Sequence, residues 1–481
     1  MTVKKIDIYS CTLKQYIRRN LLSHVSDVHP YKLVTQATIV YAKFRAKPTF
    51  QMDFTDLFKQ SLYLCRFSPN AKYLAIASKR HLVIREASSL QIVLMITWSD
   101  IIQNVLWSPD SELVLVASYK TGKVTIYQVN DKKWIADIEE GTSGLTNVKW
   151  SSDGRTLLCF SDFQLRVTIW SLTTEEVCYI QYPKYYEKGY DFRKDGRYFV
   201  LAERRDGKDY LGVYDCDNSF KMMKHFQVDT IDLENLAWSP DGRYIAVWDN
   251  CILYKVLIYT PDGRCQQSYS AYDDGLGIKS VAWAPSSQFL AIGSYDQKIR
   301  FLNHYTWTPI IEFTHAVQLN NPDLVIWKEV FNLKESGSHY VILEHPLQEL
   351  QSIRPDLDKP NPKIGVGICK FNANGSLIAS RNDNMPNCLW IWDISLMRPI
   401  VLILQIYPIR HFYWNPINAE QLVICCGNEN IYFWSGQKSG AEIIEVPAVN
   451  FKVNNIKWNP NGKSLVLMDK ELFTMAFIVK I

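Results

Sequence analysis

The sequence predicts an all-β chain: one closed β-propeller of about nine four-stranded blades, with an N-terminal strand completing the last blade. Three observations carry this. A unit built around one aromatic residue and a turn recurs nine times at near-constant spacing. Each unit alternates short apolar strands with turns rich in Pro, Asp, Asn and Gly. The final unit is one strand short, while a spare strand precedes the first.

The anchors are Phe67, Trp107, Trp150, Phe192, Trp238, Trp283, Phe371, Trp414 and Trp458, at steps of 40, 43, 42, 46, 45, 88, 43 and 44 residues. A period near 44 with several strands per unit is the signature of a propeller blade. Within a unit, Val281 and Trp283 alternate with small or polar neighbours, as a half-buried strand requires. Ser-Pro-Asp-Gly at 239–242 supplies a turn, Pro presetting φ and Gly admitting a positive one. Tyr244–Trp248 is an apolar run suited to a strand covered on both faces. VTIYQV (124–129), VTIWSL (167–172), VLIY (256–259), IRFL (299–302) and LWIWDI (389–394) mark third strands. The fourth strand is less regular, as a blade edge allows.

Closure follows from the ends. LFTMAFIVKI stops the last unit at three strands, and DFTDLFKQ (53–60) lies upstream of Phe67. That segment fills the missing edge and makes one ring, with blade counts of seven to ten open. The 88-residue step contains DLVIWKEV (323–330) and HYVILEH (339–345), which have strand character. NLKESGS and RPDLDKPNPK have loop chemistry, so 315–363 is read as a loop excursion and not as a degenerate blade.

Residues 1–51 hold nine Lys/Arg and two Asp/Glu, so the formal +4 of the chain conceals a +7 leader and a 52–481 propeller of −3. The leader is either a disordered arm or upstream sequence absent from the working protein. Eleven cysteines show no CxxC pair and are expected as reduced thiols in an intracellular protein. The longest apolar run, 399–409, is bounded by prolines and too short to span a bilayer, so it is a strand.

Catalytic patterns are absent. NGKS (461–464) lacks the first glycine of a phosphate loop, and GLG (275–277) lacks the third glycine of a dinucleotide loop. His304 and His315 have no metal-like spacing and are expected as packed or surface imidazoles. No enzyme activity, cofactor or metal is expected, although a propeller hydrolase could assemble a site from separated loops. Two turns stand out as recognition candidates on a rigid scaffold: Arg204, Arg205 and Asp206 in AERRDGKDY, and Asn382, Asp383 and Asn384 in SRNDNMPNC. Reversing the charge of both arginines is expected to weaken partner binding and spare thermal stability.

The aromatic-Ser-Pro-Asp-Gly turns and Trp392-Asp393 resemble the WD-repeat superfamily. Gly-His dipeptides are missing, so the Asp–His–Ser–Trp relay of that superfamily is not expected in most blades. Ser294, Asp296 and Trp392 supply parts of it from different blades. RYFVLAERRDGKDYLGVY (197–214), GLGIKSVAWAPSSQFLAIGSYDQKIRFLNHYTW (275–307), NPKIGVGI (361–368) and SRNDNMPNCLWIWDI (380–394) resemble the WD-repeat protein eight family. That resemblance covers about 52–481. It implies a non-enzymatic scaffold at the centrosome, spindle pole and centriolar satellites. With a coiled-coil anchoring partner of the synovial sarcoma X breakpoint-interacting type, such a scaffold tethers microtubule minus ends and supports spindle organisation and cilium assembly. A minus-end-directed kinesin and the gamma-tubulin machinery are further partners it implies. The alternative is a ribosome- or RNA-associated propeller similar to translation initiation factors. A −3 propeller is poorly supplied for phosphate neutralisation unless its charges segregate, so neither direct nucleic-acid binding nor a membrane is expected.

Overall fold

In the computed structural model, residues 50–481 are described apart from 132, 320, 333–336, 344–348, 357, 360 and 481. The expectation for the leader thus lies outside the described residues, save for Phe50 and Gln51. The described chain forms nine sheets, antiparallel but for one added strand, the blades of one ring. Their first strands are Cys65–Phe67, Asn104–Trp107, Asn147–Trp150, Tyr190–Phe192, Leu233–Trp238, Ile278–Trp283, Val366–Phe371, His411–Trp414 and Asn455–Trp458. Every predicted anchor is the last residue of one of them.

The layers of a blade follow from its apolar pattern. First strands of successive blades touch one another and line the axis, as Cys65–Phe67 does with Asn104–Trp107. Second strands are covered on both faces: all of Leu113–Ser118 and of Ser464–Met468 is buried. Outer strands face solvent, and Lys221–Gln227 is almost wholly exposed.

The tryptophans do more than fill space. Trp107 Nε1 donates to the Arg66 carbonyl at 2.9 Å, Trp283 to Ala237 at 3.3 Å, Trp414 to Lys370 at 2.9 Å and Trp458 to Tyr413 at 3.2 Å. Each acceptor immediately precedes the anchor of the neighbouring blade, so the repeat stitches itself. Each stitch contributes about 1 kcal/mol. Trp238 breaks the rule. Its buried Nε1 has no partner among the described residues, and its backbone N–H donates instead to the Asp191 carboxylate at 2.8 Å. Burial raises the Asp191 carboxyl above the usual carboxylate value, against its backbone hydrogen bonds.

The ring closes as the termini suggested. Phe50–Phe54 and Phe58–Lys59 both pair antiparallel with Leu472–Lys480, so the spare segment is two short strands. The first begins two residues ahead of Met52. Met52 is buried among Val423, Phe451 and Leu465. Cys65, Leu74 and Ile76 of blade 1 share a core with Val466, Phe473 and Met475 of blade 9.

The excursion departs from the loop expected for it. Val325–Asn332 and Gly337–Leu343 form a hairpin, and its first strand adds in parallel to Arg398–Leu404, giving blade 7 six strands. The hairpin covers an exposed blade edge rather than forming a blade. Buried Glu329 accepts from the Tyr432 hydroxyl at 3.0 Å and the Ile406 N–H at 2.9 Å, tying it to blade 8.

A relay also forms where only fragments were expected. His315 Nε2 contacts Ser380 Oγ at 2.8 Å, Trp392 Nε1 donates to the same oxygen at 2.8 Å, and His315 Nδ1 faces the Gln297 carbonyl at 2.9 Å. In blade 6 a different polar cluster forms: Arg300 binds Ser294 Oγ at 3.1 Å and Asp296 at 2.5 Å.

Candidate partner-binding surface

In a four-stranded antiparallel blade, the turn between strands two and three and the link to the next blade emerge at the same face. Over blades 3 to 5, that face displays Phe163 and Leu165, then Tyr182 and Tyr186, then Ile231, then Ile252. Phe163 is 91% exposed and Ile231 69%. Phe163 and Gln164 both hold positive φ, 54° and 56°, which costs a bulky residue about 1–2 kcal/mol. Ser161 explains the bulge: its N–H and hydroxyl both donate to the Arg166 carbonyl, at 3.1 and 2.9 Å. The loop is pinched at its base, and the ring is thrust outward.

Neighbouring loops are fastened to this one. Tyr182 N–H donates to the Leu165 carbonyl at 3.3 Å, and Arg204 N–H to the Tyr182 carbonyl at 3.2 Å. Between them, Phe163, Tyr182, Tyr185, Lys184, Arg204 and Asp232 line an open groove of about 370 Å³. Its floor is a cluster of four charges. Lys184 Nζ lies 2.9 Å from Asp209 and 2.7 Å from Asp232; Arg204 lies 3.0 and 2.8 Å from the same two carboxylates. Asp209 is fully buried and also accepts from Thr230 Oγ1 at 2.9 Å and the Leu233 N–H at 2.7 Å. Burial pushes the Asp232 carboxyl up, but the hydrogen bond and charge of Lys184, with Asn250 and Arg204, bring it below the usual carboxylate value. Aromatic rim and self-neutralised floor together favour grip on an amphipathic partner. Among the described residues, no group of three or more His, Cys, Asp or Glu side chains is placed to hold a metal ion.

The structure divides the predicted site residues. Arg204 lines this groove; Arg205 and Asp206 follow it on the hairpin of Tyr198–Arg205 and Lys208–Asp215 without lining it. Its two-residue turn places Asp206 and Gly207 at φ 49° and 76°. Arg205 pairs with buried Glu203 at 2.6 Å and lies over the Tyr182 ring. Reversing the arginines would therefore set carboxylates against buried Glu203 and Asp209. These pairs make a lowered melting point, rather than the unchanged one expected from the sequence, the predicted result of that change. Asn382 and Asn384 are also corrected. Both are buried in blade 7 and donate to Gln297 Oε1 at 3.0 Å, so they brace a turn instead of facing a partner. Asp383 beside them is held by Lys279 and Arg381, each at 2.7 Å. Phe163, Tyr182 and Ile231 went unread because one or two exposed apolar residues per loop leave no pattern along the chain.

Two family models match parts of the chain: the anaphase-promoting complex subunit 4 WD40 domain over residues 65–158, and the WD domain, G-beta repeat, over 263–303. WD repeat-containing protein WRAP73 of Mus musculus is 43% identical over 89% of this chain and 96% of its own length. An uncharacterised WD repeat-containing protein of Schizosaccharomyces pombe is 25% identical over 89% of this chain and 93% of its own. The C-terminal WD40 domain of Sif2 aligns with 82% of this chain and 99% of its own at 11% identity and a TM-score of 0.47.

Proposed function

Since the chain belongs to the WRAP73 family of WD-repeat proteins, we propose that it is a non-enzymatic scaffold of the microtubule-organising centre. On this reading it sits at centrosomes and spindle poles and, with a coiled-coil anchoring partner, tethers microtubule minus ends. The groove over blades 3 to 5 takes the apolar stripe of a partner helix, a mode in which a few aromatic anchors carry the affinity. The observation that carries this is Phe163. Phenylalanine is held there at positive φ with its ring 91% exposed, and among the described residues the ring stacks on no other.

Proximity labelling with the tagged full chain tests the assignment. A fragment starting at Met52 would clip the closing strand, which begins at Phe50. Enrichment of pericentriolar and coiled-coil proteins is the expected result. Enrichment of ribosomal proteins would replace this reading with the RNA-associated one.

A further inference from the structure

The residue before each anchor occupies one register of the first strand, hence one depth in the ring. Around the ring these residues are Arg66, Leu106, Lys149, Asp191, Ala237, Ala282, Lys370, Tyr413 and Lys457. The cations fall on blades 7, 9, 1 and 3, a continuous arc without an acid in that register. The arc from blade 4 to blade 6 holds Asp191 and two alanines.

None of the four cations has an ion-pair partner among the described residues, in a chain where most buried charges are paired. Lys457 Nζ and Arg66 Nη1 converge on the same two carbonyls: Tyr63 at 3.4 and 3.3 Å, and Cys65 at 3.1 and 3.3 Å. Lys370 Nζ reaches the Phe412 carbonyl at 3.4 Å and lies over the Tyr413 ring. Lys149 Nζ has no hydrogen-bond partner among the described residues. Burial lowers its ammonium below the ordinary lysine value, and the charge of Arg66, two blades away, lowers it further. Both stand at the same register of first strands, which line the axial channel. Glu187, on the link leading to blade 4, is the acid whose charge reaches Lys149.

We propose that this arc of the axial channel is a binding site for a compact polyanion of the polyphosphate class. Carbonyl hydrogen bonds fix the cations but leave their charge uncompensated, and holding like charges together costs free energy that an anion returns. A small multivalent anion matches charges set at one depth. An extended acidic peptide would need them spaced along the axis, at about 3.3 Å per residue.

Calorimetric titration of the full chain with inositol hexakisphosphate and with inorganic tripolyphosphate tests this. Saturable binding of one anion per chain is expected, weakening steeply with salt. K149Q removes charge without removing a hydrogen bond, so it leaves the fold intact and weakens binding roughly three- to tenfold, with a similar loss in K370Q. Failure of both anions to bind overturns the proposal. So does affinity unchanged in both variants, or saturation by a poly-glutamate peptide in preference to either polyphosphate.

Discussion

Replacing Asp209 with asparagine strikes the floor of the groove without touching its rim. One carboxylate oxygen accepts from Lys184 and Arg204, at 2.9 and 3.0 Å. The other accepts from Thr230 and the Leu233 N–H. An asparagine has a single acceptor oxygen, so its amide group must face one of these donor pairs. At least two hydrogen bonds are lost, and buried Lys184 keeps only the half-exposed Asp232 as counter-charge. Breaking a buried pair by changing one member costs about 3–5 kcal/mol. If the ring unfolds as one unit, an unfolding entropy of ~2.1 cal/mol/K per residue makes this a fall of about 3–5 °C in Tm. Separate melting of blades 4 and 5 would enlarge it. Differential scanning calorimetry of D209N beside D273N, at an exposed position, reads the difference. A D209N melting point within about 1 °C of the parent would refute the argument, since screening would then have reduced the cluster to a surface pair.

Two further predictions concern the ring. W283F removes a stitch and should lose about 1 kcal/mol more than W238F, whose indole N–H has no partner to lose; equal losses in urea denaturation would count against the stitch. Buried His315 is held at about 4, below the usual histidine value, chiefly by burial. Its unfolded value is ~6.5, so the unfolded chain binds the extra proton; this contribution is whole above ~6.5 and fades as pH falls towards 4. H315N should flatten the pH dependence of stability in that window, and an unchanged profile would show that the imidazole is hydrated.

Most of the ring could be read along the chain, because its aromatic anchors, turns and apolar strands are local patterns repeated nine times. Pairing of the two ends was also legible, as a counted surplus beside a counted shortage. What escaped was long in range. The His315–Ser380–Trp392 relay spans a 65-residue gap opened by the excursion, so its histidine looked isolated. The hairpin at 325–343 was hidden because its parallel partner, Arg398–Leu404, is separated from it by three strands of the same blade. At the groove the charged turn was visible, yet sequence cannot distinguish a free arginine from one clamped by buried Asp209. The asparagines of blade 7 misled for the same reason, since a polar loop and a buried polar brace share one composition.

Affinity purification of the full chain carrying F163S, Y182S and I231S together, with its melting point measured in parallel, bears most directly on the scaffold account. Phe163 and Ile231 project from the face and Tyr182 meets the half-exposed Arg205 guanidinium, so a nearly unchanged melting transition and loss of the proposed coiled-coil partner are expected. Undiminished recovery of that partner by the folded variant would contradict it.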